Sequence, residues 1–217
     1  MNKKAPTAAR QRSMQFARDH QKAMMFQLQA AHDYVAARCL LLNGLIGCGL
    51  ALGAQAIEKF LKAHLLFRDP TQRVKRLDHK LPELMTVVSQ LAPELSLQQF
   101  APVAEKFLKH YNTRYPDNPN ASSAMTAGDL VELDEFVIFL NKEMPCPRNV
   151  KYRSGLYALV TTSFDKQAVV WPWERWIKED NKALAPLLSQ IAAEYAAVIE
   201  ELHPTQYPGF SEMDRDY

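Results

Sequence analysis

Lys59 and Lys62 lie three residues apart, a spacing that puts two ammonium groups on one side of a helix. Further along, Arg114-Tyr115-Pro116-Asp117 sets a guanidinium beside a phenol in a turn. A guanidinium grips phosphate with a bidentate fork, and an aromatic ring stacks a base. Lys59, Lys62, Arg114, Tyr115 and Asp117 are therefore the candidate nucleotide-binding set. The same residues also read as structure, with Glu58 and Lys62 as an i,i+4 surface pair, Arg114 paired to a carboxylate, and Tyr115-Pro116 packing the end of a helical bundle. On spacing alone the structural reading carries more weight.

Other chemistries find little support. No Ser-His-Asp order, zinc-ligand spacing or paired-carboxylate context stands out, and no catalytic residue, metal or cofactor is indicated. The cysteines, 39, 48 and 146, are odd in number and form no C-x-x-C pair, which argues against a disulfide scaffold and for the cytoplasm. Arg73 and His79 are separated by five residues, but His79 reads as a packing and capping residue and His110 as an exposed or hydrogen-bonded one.

A chain of 217 residues with 47% hydrophobic and 23% charged residues is an ordinary globular composition. A net charge of +2 gives no strong field for nucleic acid or anionic lipid, so such binding would have to be local. Only seven glycines are present, which disfavours a Gly-rich phosphate loop. Residues 1–12 read as a flexible basic tail and not a secretory signal.

The elements that would position the candidates follow from periodicity. Met14, Ala17, Met24, Leu28, Ala31, Val35 and Leu42 trace a long first helix with a narrow apolar seam. A second, containing QAIEKFLKA, follows a turn near Asn43-Gly44. No charge occurs between Arg38 and Glu58, yet Asn43, Gln55 and glycines 44, 47, 49 and 53 interrupt the run. The small residues fit close helix approach better than a membrane span. Asp78 predicts an N-cap for a helix over 79–91, and Ser96 with Gln99 a capping box for the next. Thr126 and Asp129 open a helix that Pro145 and Pro147 end. Imperfect alternation across Val150–Trp171 predicts a short β-hairpin, and Leu184 to Leu202 a last helix. Trp171, Trp173 and Trp176 read as a satellite core more than as a partner surface.

Taken in order, AAHDYVAARCLL, QAIEKFLKAHL, HKLPEL and YNTRYPD resemble the HEPN family, the higher eukaryotes and prokaryotes nucleotide-binding domain, over roughly Gln27 to Pro145. The resemblance implies a mainly α protein: an antiparallel four- to five-helix up-and-down bundle over 13–145, dimeric as the family usually is. The 146–217 extension, a hairpin plus one long helix, has no counterpart in the minimal family domain and is expected to pack on the bundle. The family includes metal-independent ribonucleases and members that bind nucleotides or proteins. Its ribonucleases carry Arg followed four to six residues later by His on the last bundle helix, whereas residues 127–136 here contain neither. The expectation is a non-catalytic module that binds a nucleotide or a partner, acting beside a nucleotidyltransferase-type protein. The alternative is a diverged RNA-cleaving toxin using Arg114 with a His from elsewhere in the dimer.

Overall fold

A computed structural model describes residues 8–112, 114, 117, 126, 128–161 and 173–202. Its regular elements there are all helical: α1 (Ala8–Asp19), α2 (Gln21–Leu42), α3 (Ile46–Arg68), α4 (Leu81–Leu91), α5 (Ala101–Asn112), α6 (Gly128–Lys142), α7 (Arg148–Ser154), α8 (Leu156–Thr161), α9 (Trp173–Lys178) and α10 (Leu188–Leu202). The helix reaches back to Ala8, into the stretch expected to be a tail, and is interrupted at His20 where one unbroken helix was expected. Phe16, His20 and Phe67 stack at that break, with Phe16 and His20 centroids 4.1 Å apart.

α2 and α3 form an antiparallel hairpin. Asn43 ends α2, and Gly44 takes φ +80°, a left-handed conformation open to glycine at little strain. The amides of Gly44 and Leu45 donate to the carbonyls of Leu41 (3.1 Å) and Leu40 (2.8 Å), which closes a Schellman motif. Side chains then pair in opposite directions along the two helices: Gly49 faces Ala37 and Leu41, Lys59 meets Asp33, and Lys62 lies over Phe26. A Cβ on Gly49 would sit 2.6 Å from Leu41 Cγ, and one on Gly53 2.9 Å from Phe107 Cε1. The small residues thus allow close approach, as their pattern predicts. Among the described residues no helix is long and apolar enough to cross a membrane.

α3 is the central helix, packed by α2, α4, α5 and α6. Leu50, Ile57, Phe60, Leu61, Leu65, Phe107, Leu133 and Phe136 are among its fully buried core. Fully burying one such side chain contributes roughly 1.5–3 kcal/mol. His64, also buried, donates from Nε2 to the Leu140 carbonyl at 2.8 Å and accepts from Arg68 at its Nδ1. Burial pushes its pKa down to about 3.

Several local expectations are corrected. Asp78 does not cap α4: the N-cap position is Lys80, and Asp78 turns to Lys62. Ser96 makes no side-chain cap. It adopts φ 48°, and a 3₁₀ turn over Leu97–Phe100 leads into α5. At α6 the predicted box half forms, with the Thr126 amide donating to Asp129 Oδ2 at 2.7 Å. Of the two alternatives for His110, exposed or hydrogen-bonded, the first is excluded: the side chain is buried, with Nε2 3.6 Å from Asp129 Oδ2. The hairpin expected from Val150 is not supported, because 150–154 and 156–161 are helical; its turn and return arm lie outside the described residues. Residues 156–161 are all buried, so two-fold alternation there carries no information about an exposed face.

The chain after Pro147 fastens to the bundle through buried polar groups. Arg38, fully buried on α2, donates to Asp134 of α6, to the Trp176 carbonyl (2.6 Å) and to the Glu179 carbonyl. Tyr34 donates to Asp134 at 2.7 Å, and the Asn181 amide donates to Tyr34 at 2.8 Å. Trp176 packs against the main core, with Arg175 over its ring. Trp171 and the side chain of Trp173 fall outside the described residues.

Candidate functional site

Four of the five candidate ligands can be located. Lys59 pairs with Asp33 across the α2–α3 hairpin, with a quarter of its side chain exposed. Lys62 forms the expected pair with Glu58, at 2.6 Å, but the pair is buried and not at the surface, and Lys62 also bonds to Asp78. Arg114 is exposed, its guanidinium 5.0 Å from the centre of the Tyr111 ring. Asp117 is exposed, and Tyr115 lies outside the described residues. The two lysines are therefore held by the protein's own carboxylates, while Arg114 has no carboxylate partner among the described residues.

Between Lys62 and Arg114 runs a chain of contacts of which the sequence showed only the first, Lys62 to Glu58. Glu58, one turn before Lys62 on α3, uses its other oxygen to accept both the backbone amide of His79 (3.1 Å) and its Nδ1 (3.2 Å). His79 Nε2 is 3.1 Å from the Tyr111 hydroxyl, and the two rings stack with centroids 4.6 Å apart. Tyr111 belongs to the last turn of α5, whose end carries Arg114. Elements far apart in sequence, α3, the entry to α4 and the end of α5, thus meet in one line of polar groups: ammonium, carboxylate, imidazole, phenol, guanidinium.

Backbone geometry marks His79 as the unusual member. It adopts φ 60°, in the left-handed region that a residue with a Cβ enters at a strain of about 1–3 kcal/mol. The Glu58 carboxylate, holding both amide and ring of the same residue, fixes that conformation. Half of the His79 side chain stays exposed, so the imidazole reaches both the buried carboxylate and solvent. An imidazole so placed can accept or deliver a proton at the surface.

The signal was present but dispersed. QAIEKFLKA holds Glu58 and Lys62, HKLPEL opens with His79, and YNTRYPD opens with Tyr111 and contains Arg114. Each short run reads as packing by itself; only folding brings their polar members together. Nearby, the 3₁₀ turn Val74–Leu77 and its flanks expose Arg73, Lys75, Arg76 and Lys80, adding positive charge in sequence around His79.

A partly open cavity of about 110 Å³ lined by Val131, Asp134, Glu135, Asp180, Lys182 and Ala183 is an alternative. It is far below the roughly 300 Å³ at which small-molecule pockets begin. Its lining carries three carboxylates against one ammonium, the wrong balance for a phosphate. No family model, curated protein or solved structure matches the chain, so the residues at the rim carry the functional argument themselves.

Proposed function

We propose that this chain is a HEPN-like helical module that binds the phosphate of a nucleotide at the rim formed by His79, Tyr111 and Arg114. The observation that carries this reading is the Arg114 guanidinium lying over Tyr111 with no carboxylate partner among the described residues, beside a half-exposed imidazole. Such a guanidinium offers its fork to an incoming anion. The convergence of three of the resembling motifs on this one place supports the family reading. On it, the module is a cytoplasmic homodimer of up-and-down bundles that works beside a nucleotidyltransferase-type protein.

A specific observation favours a second reading, RNA cleavage without metal. His79 and Arg114 flank Tyr111 within a single chain, so no histidine need come from a second subunit. The imidazole Nε2, released from the Tyr111 hydroxyl, would take the proton of a ribose 2′-hydroxyl as it attacks the neighbouring phosphate; a 2′,3′-cyclic phosphate would form, the bond to the 5′ oxygen would break with that oxygen taking a proton from solvent, and the guanidinium would neutralise the charge that develops. Calorimetry with AMP and a cleavage assay on single-stranded RNA in EDTA separate the readings. Binding without cleavage is the expected result. Cleavage lost in His79→Ala favours the second, and silence in both assays overturns both.

A further inference from the structure

We infer that Lys62 is a positioning residue of this rim, acting on His79 through Glu58, and not a ligand to phosphate; the binding part of this inference rests on the reading just proposed. An ammonium has three donors and no acceptor. Here one goes to Glu58 at 2.6 Å and one to Asp78, while the Phe26 ring lies 5.8 Å from the nitrogen. The side chain is 4% exposed, so Lys62 cannot meet a surface phosphate without abandoning two carboxylates. Its span is what matters. Glu58 sits on α3 and Asp78 at the approach to α4, and the ammonium ties the two together.

Glu58 in turn has one oxygen occupied by Lys62 and the other by His79. An ionised carboxylate only accepts, so the Nδ1 of His79 must be the donor. In the neutral ring Nε2 is then the acceptor, and the Tyr111 hydroxyl 3.1 Å away donates to it. The series Lys62, Glu58, His79, Tyr111 thereby selects one tautomer and turns the phenol proton toward His79, with the exposed Arg114 at its end. Without the ammonium, Glu58 is a buried carboxylate lacking its counter-charge. It turns toward water, and the Nδ1 proton loses its acceptor.

Nitrogen NMR of the full chain, labelled at histidine, lysine and arginine and recorded at pH 8, tests this. The expected result is the Nδ1–H form of His79 in the wild type and in Lys62→Arg, and the Nε2–H form in a folded Lys62→Met. An Nε2–H wild type, or a folded Lys62→Met that keeps the Nδ1–H form, overturns the inference. Titrating AMP into the wild type needs no variant: the Arg114 Nε resonance should move and Lys62 Nζ should not, and a moving Lys62 Nζ overturns the inference. Lys62→Met, if folded, should bind AMP about tenfold more weakly, with Lys62→Arg near wild type, the scale of one charge-assisted hydrogen bond. If AMP moves neither resonance, the phosphate reading fails, while the tautomer result still decides the role of Lys62.

Discussion

Arg38 and Lys62 are both cations buried in this fold, yet they are used in opposite ways. Arg38 is enclosed: its guanidinium meets Asp134 and two main-chain carbonyls, and Tyr34 and Asn181 complete the group. Every side chain of that set is buried, and its product is attachment of the chain around α9 to α2 and α6. Lys62 begins a series that ends at solvent, through Glu58 and a strained, half-exposed His79 to Tyr111 and Arg114. A buried charge needs satisfied partners in either case. What separates structure from a candidate site is whether the last partner faces the interior or water.

The largest effect should come from breaking the closed group. Arg38→Met leaves Asp134 buried without its counter-charge and two carbonyls without their donor. We expect a loss of about 3–5 kcal/mol in urea unfolding. Burial already holds the Asp134 carboxyl above its ordinary value, against the pull of Arg38. A group raised in the folded state stabilises below its unfolded pKa and loses that contribution as pH rises. The penalty in Arg38→Met should therefore shrink on acidification, as Asp134 takes a proton. A penalty below about 1 kcal/mol at pH 7 would show that the closed group does not hold the chain together.

His64 gives a pH effect of opposite sign and somewhat smaller size. Its pKa falls from 6.5 to about 3 because burial disfavours the charged ring, so the unfolded chain takes up the proton first. Its contribution is complete above about pH 6.5 and is lost as pH falls toward about 3, on the order of a few kcal/mol. His64→Gln removes this titration, and its stability should depend less steeply on pH between 6 and 4 than that of the wild type. Equal slopes would mean His64 is not held neutral.

Tyr111→Phe is the next step down. It removes one hydrogen bond to a half-exposed histidine and keeps the stacked ring, so thermal unfolding should register only about 0.5–1.5 kcal/mol. Affinity for AMP should fall in the same variant, because the hydroxyl orders the imidazole. A stability loss as large as that of Arg38→Met would place the rim with the closed group.

How far each region could be read from sequence follows from the same contrast. The helices were legible wherever one face is buried and one is wet, as in α5, and the turn at Gly44 was legible from its chemistry. α8 was not, because total burial erases the period that distinguishes helix from strand. Lys62 was legible as a partner of Glu58 four residues before it, since that pair is local. Its bond to Asp78, and those from Glu58 to His79 and from His79 to Tyr111, join residues 16, 21 and 32 positions apart, so no local pattern encodes them. Arg38 reaches 96 positions to Asp134 and 138 to the Trp176 carbonyl, and in sequence it is only the last charge before an apolar run.

The smallest effect on stability should be the most informative about function. Arg114 lies over an aromatic ring at the surface, a contact worth about 0.5–1 kcal/mol at exposed sites. Arg114→Lys preserves the charge and part of that contact, so the melting temperature should barely move. A phosphate distinguishes the two side chains where the fold does not, because an ammonium cannot reproduce the planar fork. AMP affinity should therefore drop by roughly tenfold in Arg114→Lys at low salt, with a smaller absolute difference as salt screens both. Lys59→Ala supplies the contrast: its ammonium is already paired to Asp33, and its loss should leave AMP affinity within about twofold of wild type. Equal affinities in wild type and Arg114→Lys would remove the guanidinium from the site and leave the rim as an interior network that merely reaches the surface.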